Sequence, residues 1–403
     1  MMFDYFWLWS EMIVRWVHVI AGVAWIGSSF YFIALDLSLK PGKELPKEAN
    51  GQAWQVHGGG FYNMVKYLVA PSKMPDELTW FKWEAYSTWI SGMALMSLVY
   101  YGSTSLYMID LEVLDITQGQ AVLLSLGGIL VGWVIYDGLC RSPLGRNDLI
   151  LALSGLIFLI ILSYIYTQIF SHRGAFMQMG ISIGTMMVAN VAMVIIPGQK
   201  KVVKALKAGE EPNPIYGARG KQRSLHNNYL TLPVIFVMLG VHYPIIFATE
   251  YSWLILGLIL IIGALIRHFF NTKHKGLPAP YWTWLAASFL VVCCISLSYV
   301  GGPTNEDYEV SNLNLSKDEV HNSAVELVIE RCSACHAKEP VWDGLAFAPK
   351  GVYLETEAQI LKMANEIYWQ SAASWAMPPG NIIWLDDEER ALLSEWHKKL
   401  KDN

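Results

Sequence analysis

Charge is what this chain has least of. Only 16% of its 403 residues are Asp, Glu, Lys or Arg, against 54% apolar residues. The mean hydropathy is +0.32. That scarcity excludes an ordinary soluble domain, in which about a quarter of residues are charged. The uncharged stretches are also long. Eight of them reach bilayer length, which takes roughly 20 helical residues. They cover residues 12–34, 85–108, 119–137, 149–169, 176–196, 229–248, 252–270 and 281–300. Lipid offers no partner to backbone polar groups, so these runs are expected as helices. A soluble helical protein buries one or two such runs, not eight.

Lys and Arg are missing from particular places. Loops 2–3 and 6–7 hold none, and loop 4–5 holds only Arg173, whereas the odd-numbered loops and their helix ends hold eighteen. The positive-inside rule therefore puts the odd loops in the cytoplasm and both termini outside. In a Gram-negative bacterium this means an inner-membrane protein with periplasmic termini. A basic leader is missing too. Asp4 and Glu11 stand where it would be, and no small-residue cleavage site follows the first run, so no cleavable signal peptide is expected.

Cysteine is sparse, at five residues. Cys140 lies at a cytoplasmic helix end. Cys293 and Cys294 are neighbours in the eighth run, project in different directions and read as packing residues. The other two stand in Cys332-Ser333-Ala334-Cys335-His336, and no second CxxC follows to complete a zinc site. C-x-x-C-H is the attachment signature of a c-type haem. Two thiols three positions apart meet the two vinyl groups, and the adjacent imidazole of His336 sits under the iron. The sixth ligand is expected from Met377, in the proline-stiffened run AMPPG at 376–380, and His/Met ligation raises the haem potential. Met363 competes, but it lies in a helical stretch and reads as core.

The polar, Asn/Glu/Ser-rich stretch 303–320 reads as a linker. It separates a membrane domain, 1–302, from a periplasmic unit, 321–403. An amphipathic helix over 322–331, the haem motif, the methionine loop and a closing helix near 387–400 make up a small class I-like cytochrome c. The expected fold is all-α, an eight-helix membrane bundle followed by that unit. So small a domain leans on its haem as core.

Ionisable residues inside the membrane are functional candidates. Arg15 and His18 lie in the first run and His242 in the sixth. Counted from the expected helix ends, both histidines sit about 9 Å below the outer surface. Such a pair could hold a b-type haem or a polar substrate, or be satisfied by hydrogen bonds to neighbouring helices. A second group gathers at the inner face: His57 in HGGGFY, Lys82 and Glu84 in WFKWEAY at 80–86, HNNY at 226–229, and His268. The three glycines after His57 suggest a backbone that approaches something closely. Trp80, Lys82 and Trp83 also suit an interfacial belt with a snorkelling lysine.

HGGGFY at 57–62, LTWFKWEAYSTWISG at 78–92, eight apolar runs and a terminal CxxCH together resemble the bacterial membrane-bound urate oxidase family. This is the urate hydroxylase PuuD type, a urate oxidase N-terminal domain fused to cytochrome c. The resemblance covers essentially the whole chain. It implies oxidation of urate to 5-hydroxyisourate, with electrons passing to cytochrome c and on to a respiratory acceptor such as a soluble cytochrome c or terminal oxidase. It carries over no set of urate-binding residues. The run from His18 to Gly27 also resembles the first helix of the bacterial membrane protoporphyrinogen oxidase and copper-resistance D families. In the former a histidine in this helix is linked to haem.

A planar purine anion calls for aromatic faces, amide or guanidinium donors and a base. One c-haem takes one electron while the reaction releases two, which argues for a second centre or a waiting radical. Two sites stay open: an outer one near Arg15, His18, His172 and Arg173, and an inner one near His57, Lys82 and Glu84. A quinol-oxidising electron-transfer subunit shares every feature except the family motifs. A transporter would show matched broken helices. No nucleic-acid partner is expected.

Overall fold

The computed structural model describes residues 2–67, 71, 74–303, 316–342 and 345–401. The chain is 70% helical with few strands. The first helix, α1, runs Met2–Ser38 and extends past both ends of the expected span. A β-hairpin follows, β1 Ala49–His57 paired antiparallel with β2 Gly60–Tyr67, so the fold is not purely α. Next come α2 (Trp83–Leu95), continued by a π-helical stretch Met96–Tyr101, and the single turn α3 (Thr104–Tyr107). Helices α4 (Gln118–Arg141), α5 (Asp148–Thr167) and α6 (His172–Ala189) follow. A second π-helical stretch, Asn190–Ile195, leads into α7 (Ile196–Lys207). Helices α8 (Pro214–Gly240), α9 (Pro244–Phe247), α10 (Ser252–His274) and α11 (Trp282–Val300) complete the bundle.

The helix starts obey local chemistry. Thr117 and Gln120 form a capping box for α4, Asn147 caps α5, Ser171 caps α6, and Asn213 caps α8 ahead of Pro214. Among the described residues six helices are long and apolar enough to cross a membrane. The two remaining expected runs also fall on helix, but on more polar helix. Residues 83–101 are helical throughout, and 229–240 form the second half of α8.

Helix α6 forms the axis of the bundle. Thirteen of its residues are buried, including Phe176, Met179, Ile183 and Met186, and it packs against α2, α4, α5 and α8. α1 lies at the periphery, with most of its apolar side chains exposed. Exposed apolar helix surface of this kind is what a lipid solvent requires.

The end of the bundle nearest the hairpin is tied by a buried polar network. Asn190, at the start of the π-helical stretch, donates to the Tyr136 hydroxyl and to Asn227 Oδ1, both at 2.9 Å. Its own oxygen accepts from Arg223 Nη1 at 3.1 Å. Arg223 Nη2 reaches Asp137 at 2.6 Å, and Tyr136 pairs with His226 Nδ1 at 2.8 Å. The guanidinium also lies 5.1 Å from the Tyr136 ring. A buried cation without water needs such partners.

The C-terminal unit begins with α12 (Lys317–Cys332), five residues earlier than expected, because Ser316 and Glu319 form a capping box. It continues through α13 (Glu357–Lys362) and α14 (Ala364–Ile367) to α15 (Asp387–Lys401). Its core joins Val320, Leu327 and Val328 of α12 to Leu393 and Trp396 of α15, the face expected of the closing helix. Most of the expected linker lies outside the described residues.

This unit docks on the bundle end opposite the hairpin. A Cβ on Gly380 would run into the Ile109 carbonyl oxygen, and Gly380 has φ +54°, so only glycine permits this approach. Asn381 Nδ2 donates to Glu112 at 3.2 Å.

Asp137→Ala is expected to strand the Arg223 guanidinium and destabilise the bundle by about 3 kcal/mol. Thermal unfolding in detergent measures this. An unchanged midpoint would show that Asn190 and the aromatic rings suffice for Arg223.

Candidate functional site

The CxxCH motif sits where α12 ends. Cys332 closes the helix, and the His336 backbone N–H bonds back to the Cys332 carbonyl at 2.9 Å. His336 Nδ1 lies 3.2 Å from the Val352 carbonyl oxygen. Donation from Nδ1 leaves Nε2 as the nitrogen free to bind a metal, the second-shell arrangement that orients a ligating imidazole. Burial first, then the neighbouring Cys335 and Glu389, pushes the Cys332 thiol up to about 12. Among the described residues no three His, Cys, Asp or Glu side chains gather as a metal cluster. A thiol pair beside an oriented imidazole is the donor set that covalent haem attachment uses.

The methionine loop is held from behind. Arg390 on α15 is 2% exposed and donates to the carbonyls of Ser371 at 2.6 Å and Met377 at 3.0 Å. Burial pulls its guanidinium down to about 10 against the pull of nearby acids, Asp387 foremost. The Met377 backbone N–H reaches Gln370 at 2.8 Å. Met377 itself is half-buried and outside the core cluster, whereas Met363 packs against that cluster. This division suits Met377 as the free thioether.

The histidines of the membrane part occupy different settings. His18 turns toward α2, where Nδ1 lies 3.0 Å from the Thr88 carbonyl and 3.1 Å from Ser91 Oγ. Its ring lies against Gly92. His242 is not inside a helix, because α8 ends at Gly240, and its residue is exposed. Arg15, Arg173 and Lys350 are the cations around it. A ring hydrogen-bonded to α2 and an exposed ring among cations are poor surroundings for a shared porphyrin. No step below is routed through a membrane haem.

The inner group does not assemble either. His57 is exposed at the hairpin tip, and Gly58 and Gly59 are the positive-φ pair of its two-residue turn. The HGGG glycines therefore serve the turn, and no neighbour lies within 4 Å of a Cβ built on Gly58 or Gly59. Lys82 lies 5.7 Å from the Trp83 ring, as an interfacial belt predicts. Glu84 Oε2 is buried without a partner, beside a cavity of about 390 Å³ lined by Trp16, Ile20 and Trp83. Among the described residues His57, Lys82 and Glu84 share no hydrogen bond or ion pair.

Two arrangements escaped the sequence reading. At the hairpin end, Arg267 of α10 lies 4.0 Å from the Phe30 ring. Its guanidinium reaches Asn228 Oδ1 at 3.3 Å and Asn271 Oδ1 at 3.2 Å. At the docked end, His172 stacks on Trp375 of the C-terminal unit, with centroids 5.9 Å apart and planes 19° from parallel. Trp375 stands two residues before Met377. The HNNY run was a signal for the first. Nothing local signals the second.

The urate oxidase N-terminal family matches residues 4–298. The chain belongs to that family. No curated protein matches it, and no solved structure does. The match spans the helical bundle and stops short of the CxxCH unit. Membership in the urate oxidase N-terminal family points to a urate-related function and to oxidoreductase chemistry.

Met377→Ala is expected to keep the covalent haem but lower its potential and open the sixth position, since the thioether ligand raises the potential. Spectra and redox titration read this. The same changes in Met363→Ala, with Met377→Ala silent, would move the ligand to Met363.

Proposed function

We propose that this protein is a membrane-bound urate oxidoreductase of eight spans. On this reading it converts urate to 5-hydroxyisourate and delivers the electrons to its own c-type haem. The observation that carries the reading is the family match over the bundle, followed in the same chain by a docked unit bearing CxxCH. Urate and one water give 5-hydroxyisourate, two protons and two electrons. Cys332 and Cys335 would hold the haem through thioethers, and His336 and Met377 would bind its iron. When bound, the haem supplies a one-electron acceptor of raised potential.

The residues of the chain have the remaining tasks. Arg390 fixes the methionine loop through the Ser371 and Met377 carbonyls. The His172–Trp375 stack joins bundle and C-terminal unit through aromatic contact. The charge bias of the loops supports a docked end on the periplasmic side of a bacterial inner membrane. A soluble cytochrome c or a terminal oxidase would then accept the electrons there.

A second reading, quinol oxidation, has one observation in its favour. The cavity between α1 and the start of α2 is apolar and carries an unpartnered carboxylate oxygen of Glu84. Such a groove on a peripheral helix suits a lipid-soluble quinol that must lose protons.

Anaerobic mixing separates the two. Urate is expected to bring up the reduced c-type spectrum without oxygen, at two haems reduced per urate. Haem that stays oxidised under excess urate and is reduced by a quinol would replace the urate reading with the quinol one.

A further inference from the structure

Most buried polar groups of the bundle find partners, but one corner of the docked end does not. Tyr100 is 5% exposed, and its hydroxyl faces the Arg173 guanidinium without a well-formed hydrogen bond to it. Thr104, 1% exposed, has an unpartnered Oγ1, and Arg173 has an unpartnered, buried Nε. Tyr100 and Arg173 are neighbours. The Tyr100 and Tyr107 rings lie 5.6 Å apart, and the Arg173 guanidinium sits 4.7 Å from the Tyr107 ring. All three unpartnered groups are hydrogen-bond donors. Such groups are costly to bury when nothing meets them. A single acceptor-rich ligand would satisfy several at once.

The charge of the corner has one sign. Among the described residues the arginine ion pairs belong to Arg15, Arg141, Arg223 and Arg331, so Arg173 has no carboxylate. Glu11 answers only Arg15. Arg173 and Arg15 both act on His242, together with Lys350 from the C-terminal unit. An excess of cations beside buried donors selects an anion, and two tyrosine rings select a flat one.

We propose that Tyr100, Tyr107 and Arg173 form the binding site for a planar, oxygen-rich purine anion, set at the docked end against the C-terminal unit. The inference rests on the urate reading above and settles on one of the two faces open to it. Position supports it. Ser171 ties the start of α6 to Tyr107 and Met108 through Ser171 Oγ and N at 2.9 and 2.8 Å. Ile109, two residues on, is where Gly380 docks. His172, next to Arg173, stacks on Trp375. A ligand here is adjacent to the unit that would accept its electrons. Arg267 also lacks a carboxylate, but it lies roughly 22 Å along α10 from that end. It clasps α1, α8 and α10 through Phe30, Asn228 and Asn271.

The test uses full-length, haem-loaded protein in detergent, kept anaerobic. Labelled urate is measured by equilibrium dialysis, and urate-driven haem reduction by absorbance. Arg173→Gln and Tyr100→Phe are each expected to weaken urate binding at least about tenfold, the size of a lost charge-assisted or buried hydrogen bond. KM for urate should rise, while reduction by ascorbate and the haem spectrum stay as in wild type. Arg173→Lys should recover part of the affinity, and Arg267→Lys should retain it within about twofold. Tyr100→Phe separates ligand from structure. If no ligand meets the hydroxyl, its removal raises the melting midpoint and leaves urate affinity unchanged, which overturns the proposal. Wild-type affinity in Arg173→Gln, or a loss confined to Arg267→Lys, overturns it as well. Wild-type protein that neither binds urate nor is reduced by it overturns the urate reading itself, a result distinct from a wild type that responds and variants that do not.

Discussion

The governing constraint is dryness. Inside a bilayer no water repairs an unmet donor or acceptor, so each polar side chain in the bundle must be answered by another or kept for something that enters. The two terminal nitrogens of Arg223 show the first outcome, although its Nε stays without a partner. Asp137, Asn190 and the Tyr136 ring surround the guanidinium, and Asn190 is placed to serve three partners where the helix widens into a π-helical turn. Such widenings recur at functional or strained points in helices. Here the turn lets one amide bridge α4 and α8. The Tyr100–Arg173 corner shows the second outcome, with buried donors left over and no carboxylate paired with Arg173 among the described residues.

Different parts of the chain were legible for different reasons. Apolar runs announced the helices because length and charge scarcity act locally, and caps such as Thr117-x-x-Gln120 fixed their starts. The CxxCH motif stood out because three residues at two fixed spacings define it. HGGGFY misled for a related reason. Glycine reports that a backbone conformation is needed but does not say why, and at Gly58 and Gly59 the need is a hairpin turn. His242 misled because hydropathy does not register where a helix stops, and α8 ends two residues before it.

What stayed hidden was pairing across the chain. The partner of His172 is about two hundred residues away in a separate unit, and no periodicity links them. Asn228 is a similar case. Its oxygen accepts from both Arg267 and Asn271, which leaves its own amide donors unmet, and neither fact can be read from HNNY. The sequence supplies donors and acceptors. Only the fold says which are spent.

The docking of the C-terminal unit follows from the same accounting. A one-electron acceptor is useful only where it is held near the source, and a tether alone would leave it wandering. Here the approach is fixed at backbone level, since Gly380 packs on the Ile109 carbonyl where no side chain fits. The Asn381–Glu112 bond and the His172–Trp375 stack lie on either side of that contact in sequence. Arg390 connects the two tasks. It holds the Met377 carbonyl with one nitrogen and reaches toward Asn381, itself bound to Glu112 of the bundle, with another. A single buried guanidinium therefore sets both the loop that offers the thioether and the residue that anchors the unit. The geometry around the proposed haem is coupled to docking, not independent of it.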